Sequence, residues 1–265
     1  MCDLTSFHDS YICYGEKNTQ MIQDLDNVFL NMAKSIGAIE YHIPALIDQE
    51  VLERCGYFQS FPHHLTVASY IDPKKYNDAI YASGVNKNSL VISNQYLTPA
   101  ACLHIYPMLE REDIDEKVVT TKARVYRYEN ARFNGITRIW DFTVREIVFI
   151  GEKSLVVNML DSMKMKALEY ARSIGLPCRI TLANDNFYPT KQNNMKQKFQ
   201  KANSLKFELT TLMGGGDVAL SSFNYHDTHF SKAFGFDKDK KIVTGCVGYG
   251  LERWVAALNE YNIEL

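Results

Sequence analysis

The chain carries at residues 124–151 the stretch RVYRYENARFNGITRIWDFTVREIVFIG. Alternation of apolar and polar side chains predicts strands at residues 120–128 and 142–150, joined by a loop rich in arginine and aromatic residues. Arg127 and Glu129 lie two positions apart, so on a strand both side chains point to one face. On spacing alone, this is either a hairpin with a salt-bridged face or a nucleotide clamp. In the clamp, Arg127 meets a phosphate and Phe142 offers its ring to a purine.

Apolar periodicity places further elements around this hairpin. It predicts helices at residues 18–36 and 155–174, each followed by a glycine as a stop signal, and a third helix at residues 250–258. Short apolar or alternating runs predict strands at residues 38–43, 89–92, 179–182, 204–211 and 218–223. Strands often follow one another directly, and no GxGxxG motif follows a first strand. The pattern therefore favours an α+β fold with an antiparallel sheet.

Composition excludes several classes of protein. Of the 265 residues, 46% are hydrophobic and 23% charged, which is typical of a globular chain. The net charge of −2 argues against a basic footprint spread over the whole surface, but leaves room for a local patch. No apolar run is long enough to span a membrane and the N-terminus lacks a signal peptide, so we expect a cytoplasmic protein. Six scattered cysteines without a CxxC pair predict free thiols or metal ligands.

A second candidate site lies at residues 245–259, which read GCVGYGLERWVAALN. The glycines allow another backbone or a ligand to approach closely. Arg253 falls in the first turn of the predicted helix, where it either reaches an anion or is an ordinary surface arginine.

Taken together, these segments resemble the catalytic core of the class II aminoacyl-tRNA synthetases. Residues 124–151 resemble motif 2, residues 245–259 resemble motif 3, and residues 18–44 resemble motif 1, which builds the dimer interface in that class. The resemblance is strongest to the seryl type and implies an antiparallel sheet flanked by helices, with residues 1–265 as a single catalytic domain. One departure is Ala219, which stands where seryl enzymes usually have a glutamate.

The resemblance also implies a metal site. Cys102, Glu146 and Cys246 occupy the positions of the zinc ligands in the atypical, zinc-dependent seryl synthetases and in the related amino acid:[carrier protein] ligases. In those families the open fourth position takes the α-amino group of the substrate. A lone cysteine is more often a buried thiol, but here two cysteines and a glutamate match together.

The implied activity is that of an amino acid:[carrier protein] ligase. Such an enzyme activates a small amino acid (glycine or alanine, with serine as an alternative) with Mg²⁺ and ATP, and passes it to the phosphopantetheine thiol of an acyl or peptidyl carrier protein. We expect a homodimer without an anticodon-binding or tRNA-binding domain, and neither tRNA nor a membrane as a partner. The resemblance assigns catalysis to Arg127 and Arg253, ATP binding to these two arginines with Glu129, Arg138 and Phe142, and amino acid binding to Glu208, Ser222 and Asn224.

Two alternatives remain open: a stand-alone enzyme that aminoacylates a tRNA, a peptide or a small amine, and a regulatory paralogue without catalysis. Residues 188–204 hold four lysines and no acid, so this stretch is either a docking surface for an acidic carrier protein or a solvated segment. The histidines at 63, 64, 226 and 229 are interpreted as core or surface residues rather than metal ligands.

Overall fold

The computed structural model describes residues 4–8, 11–81, 84–110, 112, 114–129, 133–134, 136–236 and 241–265. In chain order, its strands are β1 Leu4–His8, β2 Tyr11–Tyr14, β3 Ile39–Glu40, β4 Leu46–Asp48, β5 Val67–Ile71, β6 Leu90–Leu97, β7 Lys117–Tyr126, β8 Asp141–Gly151, β9 Arg179–Leu182, β10 Lys206–Met213, β11 Gly216–Asp227 and β12 Val243–Gly250. Its helices are α1 Glu16–Lys34, α2 Gln49–Arg54, α3 Tyr57–Ser60, α4 Tyr76–Tyr81, α5 Ile105–Met108, α6 Lys153–Ser173, α7 Lys191–Ala202, α8 His229–Ala233 and α9 Leu251–Glu260. No helix in these ranges is both long and apolar enough to cross a bilayer.

The main sheet has seven strands in the order β3-β7-β8-β12-β11-β10-β9. Only the short β3 pairs in parallel, with β7, and all other neighbours are antiparallel. Strands β4, β6 and β5 form a separate three-stranded sheet, and β1 pairs with β2. The predicted α+β fold with an antiparallel sheet is confirmed.

Helices α1, α6 and α9 cover one face of the main sheet. In α1, the buried residues Met21, Leu25, Phe29 and Ala33 recur every four positions, so they form one apolar stripe against the core. The predicted helix at residues 18–36 is confirmed with a shift of two residues at each end. The second predicted helix is also confirmed as α6, and Gly175 follows it with a φ of 79°.

Strand β8 divides its side chains between the two faces of the sheet. Val148 packs in the core of the face that α8 covers, whereas Ile147 packs against α1, α6 and α9. Side chains alternate along a strand, so Glu146 points away from α1 while its neighbour Arg145 points towards it. Arg145 is 1% exposed and binds Asp26 of α1 through Nε at 2.7 Å and Nη2 at 2.9 Å. Its Nη1 donates to Glu40 at 2.7 Å.

Strand β12 lies in the middle of the sheet and was not predicted, because its glycines are typical of a turn. The packing explains them. A Cβ built at Gly245 would lie 2.9 Å from side-chain carbons of Val156 and Leu160 on α6. The glycine therefore lets α6 approach the sheet backbone closely.

Strand β7 ends at Tyr126, two residues earlier than predicted. The backbone N–H of Arg127 still reaches Trp140 O at 2.7 Å, but that of Tyr128 turns to His64 O at 3.1 Å. Arg127 and Glu129 therefore lie beyond the strand, and the predicted strand bound at residue 128 is wrong. The strand predicted at 38–43 is the shorter β3, and the strand predicted at 218–223 is part of the longer β11. Residues 188–204 contain the helix α7.

Candidate active site

Ten of the eleven residues predicted for the site line one open cleft of about 1020 Å³ on the sheet face opposite α1. They are Cys102, Arg127, Glu129, Arg138, Glu146, Glu208, Ser222, Asn224, Cys246 and Arg253. Phe142 lines a small neighbouring cavity that shares several of these residues. Segments far apart in the chain therefore converge on one volume.

The register of the sheet explains this convergence. Glu208 pairs with Ser222, Ser222 with Gly248, and Gly248 with Glu146, which gives a row across four strands. Paired residues project to the same face of a sheet. A second row, two positions along, joins Asn224 to Cys246.

Three potential metal ligands meet at one end of these rows. The ligating atoms of Cys102, Glu146 and Cys246 all lie within 4.8 Å of one another, and each residue is buried. Cys102 sits on a 3-10 helix, Ala101–His104, whose N–H groups hold the carboxylate: Cys102 N donates to Glu146 Oε2 at 2.7 Å and Ala101 N to Oε1 at 3.3 Å. Two sulfurs and a carboxylate are ligands that Zn²⁺ accepts in a tetrahedral site.

The electrostatics of this cluster suit a cation. The hydrogen bond between the two sulfurs raises the pKa of Cys102 well above its usual value and lowers the pKa of Cys246 well below it. Burial, reinforced by the charge on Cys246, raises the pKa of Glu146 to about 7. Buried groups whose negative charges oppose one another in this way are stabilised when a metal ion neutralises them.

Both predicted catalytic arginines are held by backbone carbonyls. Arg127 Nε donates to Pro99 O at 2.8 Å, and its guanidinium carbon lies 5.5 Å from the centre of the Phe142 ring. Arg253 donates from Nε to Thr137 O at 2.8 Å and from Nη1 to Ala219 O at 3.1 Å. Within the described ranges, the Nη groups of Arg127 have no hydrogen-bond partner, and the residue lines the cleft.

A small cavity lies beside the cleft at the predicted adenine site. Arg138 Nη1 binds Glu129 Oε2 at 2.6 Å, and these two residues with Phe142 and Arg253 surround a cavity of about 10 Å³. A space of this size admits no more than about one water molecule. A purine is too large for this cavity and would instead occupy the adjoining open cleft, which Glu129, Arg138 and Arg253 also line.

The predicted amino acid pocket contains an ion-pair network. Lys206 Nζ lies 2.6 Å from Asp185 Oδ1 and 3.2 Å from Glu208 Oε1, so the Glu208 carboxylate is already partly neutralised. Asn224 Nδ2 lies 3.2 Å from Ser222 Oγ. Lys206 and Asp185 were missed by the sequence analysis, since neither belongs to a recognisable motif.

His226 was interpreted as a core or surface residue, yet it lies beside the cysteine cluster. Its Nε2 is 3.6 Å from Cys246 Sγ. A signal existed: His226 follows Asn224 by two positions, so a longer predicted strand would have placed both side chains on the cleft face.

Residues 89–262 match the profile of the tRNA synthetase class II core domain (G, H, P, S and T). The chain belongs to this family. A crystal structure of M. kandleri SerRS in complex with A. aeolicus tRNASec superposes with a TM-score of 0.86 and 19% identity, over 98% of this chain and 55% of that chain. The predicted class II synthetase fold is thereby confirmed.

Two curated relatives carry different names. An amino acid–[acyl-carrier-protein] ligase 1 of Bradyrhizobium diazoefficiens is 29% identical over 85% of this chain and 72% of its own length. A type-2 serine–tRNA ligase of Methanococcus maripaludis is 27% identical over 87% of this chain. The chain spans half of that second relative. The family therefore includes enzymes named for two different acceptors.

Proposed function

We propose that the chain is an ATP-dependent ligase that activates a small amino acid as its adenylate and transfers it to the thiol of a carrier protein. The observation that carries this proposal is the convergence of the Cys102–Glu146–Cys246 cluster with Arg127 and Arg253 in one cleft. The cluster offers ligands for a metal, and the two arginines offer donors for phosphate groups.

The cluster would hold zinc through its two sulfurs and one carboxylate, and a bound zinc ion would supply a Lewis acid that orients the amino group of the substrate. Glu208, Ser222 and Asn224 line the adjoining part of the cleft and would contact the rest of the amino acid. The resemblance implies glycine or alanine as the amino acid, with serine as the alternative.

In the first step, an oxygen of the amino acid carboxylate would attack the α-phosphorus of Mg²⁺-bound ATP, and pyrophosphate would leave. Arg127 would direct its Nη donors to the α-phosphate, where charge builds up in the transition state. Arg253 would pair with the γ-phosphate and the departing pyrophosphate. Glu129, Arg138 and Phe142 would hold the adenine.

In the second step, the thiol of the carrier protein would attack the activated carbonyl carbon, form a thioester and release AMP. Its proton would pass to solvent.

Helix α7 supports a carrier protein as the acceptor, because its Met195 and Phe199 are 62% and 64% exposed and line the cleft. Lys191, Lys198 and Lys201 are exposed on the same helix and would attract an acidic partner.

A homodimer belongs to the same proposal. Helix α1 and strand β3 fall within residues 18–44, which resemble the motif that builds the interface in this class, and Ile39 of β3 is 52% exposed. Light scattering on the purified protein would give twice the chain mass if this is correct, and the chain mass if it is wrong.

The activation step is tested by pyrophosphate exchange with each of the twenty amino acids, with zinc content measured on the same sample. We expect exchange with one small amino acid and about one zinc per chain. Cys102→Ala and Cys246→Ala should lose both together while circular dichroism stays unchanged. If either variant keeps full zinc content and full exchange, the proposed metal site is wrong.

The acceptor is tested with the amino acid so identified. Holo acyl carrier protein should gain a thioester, whereas bulk tRNA should not be charged. The type-2 serine–tRNA ligases among the relatives give the second candidate, and charging of tRNA alone would replace the carrier-protein proposal with it.

The role of α7 is tested by Lys198→Glu combined with Lys201→Glu. We expect the KM for the carrier protein to rise at least several-fold and pyrophosphate exchange to stay constant, since these lysines would act only in docking. The control pair Lys153→Glu and Lys241→Glu makes the same charge change on exposed residues elsewhere. Equal effects of both pairs would refute a docking surface on α7.

A further inference from the structure

The Cys246 sulfur has two nitrogen neighbours that belong to neither of the other cluster residues. Asn224 Nδ2 and His226 Nε2 each lie 3.6 Å from Sγ. Both residues are on β11, which pairs with β12, the strand that carries Cys246. A thiolate in this position accepts N–H hydrogen bonds.

A β-bulge aims His226 at the sulfur. The register between β11 and β12 shifts between Tyr225 and Asp227, so His226 is the extra residue without a partner on β12. Asp227 takes up the distortion with a φ of 53°. Bulges re-aim side chains and recur beside active sites.

The second ring nitrogen of His226 is also held. Thr244 Oγ1 lies 3.3 Å and Tyr106 Oη 3.4 Å from Nδ1. In the tautomer in which these hydroxyl groups donate to Nδ1, the ring proton lies on Nε2, which is the atom facing Cys246. This orientation is the one that gives the sulfur a donor.

His226 does not complete the metal site itself. Among the described residues, the group whose ligating atoms all lie within 4.8 Å of one another is Cys102, Glu146 and Cys246, and His226 falls outside it. A zinc ligand must approach the metal to about 2.0 Å, which brings it near all the other ligands. The role of His226 is therefore exerted through Cys246.

We propose that His226 is a positioning residue for the metal site: its Nε2–H holds Cys246 Sγ in place and draws negative charge from it, without occupying a coordination position. The fourth position then stays open for the amine of the substrate. This inference rests on the metal site of the proposed function. Residues one layer behind metal ligands commonly change metal affinity about 10–100-fold when they are replaced.

The test uses His226→Phe, with His226→Gln as a variant that keeps an N–H donor. The matched control is His229→Phe, since His229 Nε2 contacts Cys55 O at 3.0 Å. Thr244→Val, which removes the hydroxyl next to Nδ1, probes the same contact with a smaller change. Two readouts are needed: Zn²⁺ affinity by chelator competition, and the absorption spectrum of the Co²⁺-substituted protein.

We expect His226→Phe to weaken Zn²⁺ binding about 10–100-fold. Its sulfur-to-cobalt charge-transfer bands should move to longer wavelength, because sulfur electrons without the hydrogen bond are less stabilised. The d–d bands should keep their tetrahedral pattern. His226→Gln should restore most of the affinity, Thr244→Val should show a smaller loss, and His229→Phe should match the wild type.

Wild-type affinity and spectrum in both His226→Phe and Thr244→Val would overturn this inference and leave the metal site intact. A changed d–d pattern in His226→Phe would also overturn it, because His226 would then be a ligand. A wild-type protein that binds no Zn²⁺ or Co²⁺ would overturn both the metal site and this inference.

Discussion

Replacement of Asp26 by asparagine tests the buried ion pair that joins α1 to β8. The side chains of Asp26 and Arg145 are 7% and 2% exposed, and two short hydrogen bonds join them. Removing one partner of a buried pair costs about 3–5 kcal/mol. Glu40 stays bound to Arg145 at 2.7 Å, so we expect the low end, about 3 kcal/mol off the free energy of unfolding.

Urea unfolding followed by tryptophan fluorescence and circular dichroism measures this loss. Asp161→Asn is the control, because its pair with Lys164 leaves the carboxylate 60% exposed. An exposed pair contributes about 0–1 kcal/mol, so the control should barely change stability. The double variant Asp26→Leu and Arg145→Met should recover most of the loss, since no charge then remains buried.

The same pair predicts a pH dependence. Burial alone would raise the pKa of Asp26, but the hydrogen bonds and charges of Arg145 and Lys122 outweigh it and hold the pKa below the usual value. The stability that this carboxylate contributes is therefore present above the unfolded pKa of about 3.9 and lost as the pH falls through the lower folded value. The wild type and Asp26→Asn should converge in stability as the pH drops below about 4. Equal losses in Asp26→Asn and the control, or a gap that persists in acid, would refute the reasoning.

Three further predictions concern packing, burial and nucleotide binding. Gly245→Ala should cost about 1–3 kcal/mol, because the new Cβ would lie 2.9 Å from aliphatic carbons of α6, whereas Gly216→Ala, with nothing within 4 Å, should be tolerated in the same thermal melts. Burial lowers the pKa of His64 to about 3. Between this value and the unfolded pKa of about 6.5, the imidazole binds a proton in the unfolded chain but not in the folded chain. The wild type should lose about 2 kcal/mol more than His64→Phe between about pH 7 and 5, and parallel urea curves would exclude this. Arg138→Ala should raise the KM for ATP at least about 10-fold by removing a charged hydrogen-bond donor, and an unchanged KM would separate Arg138 from the nucleotide.

Local periodicity was enough to predict the long helices and several strands. The apolar stripe of α1 and the bounds of β9 follow from spacing alone. Strand β12 could not be found in this way, since the need for Gly245 comes from α6, which precedes it by about seventy residues and packs against it only in the folded chain. Close approach between distant segments leaves no periodic signal.

The candidate site shows the same division. The resemblance named Cys102, Glu146 and Cys246, and the structure brings their ligating atoms together. The alternation that continues from Asn224 puts His226 on the cleft face, but its contact with Cys246 also depends on one extra residue in β11, which the sequence does not reveal. The hydrogen bond from Arg138 to Glu129 likewise forms only in the folded chain and has no signal in the sequence.

Strand β8 places Arg145 and Glu146 side by side in the chain but on opposite faces of the sheet. A single inserted or deleted residue ahead of them would exchange the two faces, so the arginine would enter the cleft and the carboxylate would enter the apolar core. We therefore expect an insertion scan to find residues 141–151 intolerant even to one alanine. The exposed β10–β11 turn should accept several inserted residues, provided that Gly214 and Gly215 keep their positive φ of 55° and 82°. Natural variation in the length of this protein would then accumulate at such turns, and β8 would keep a constant number of residues.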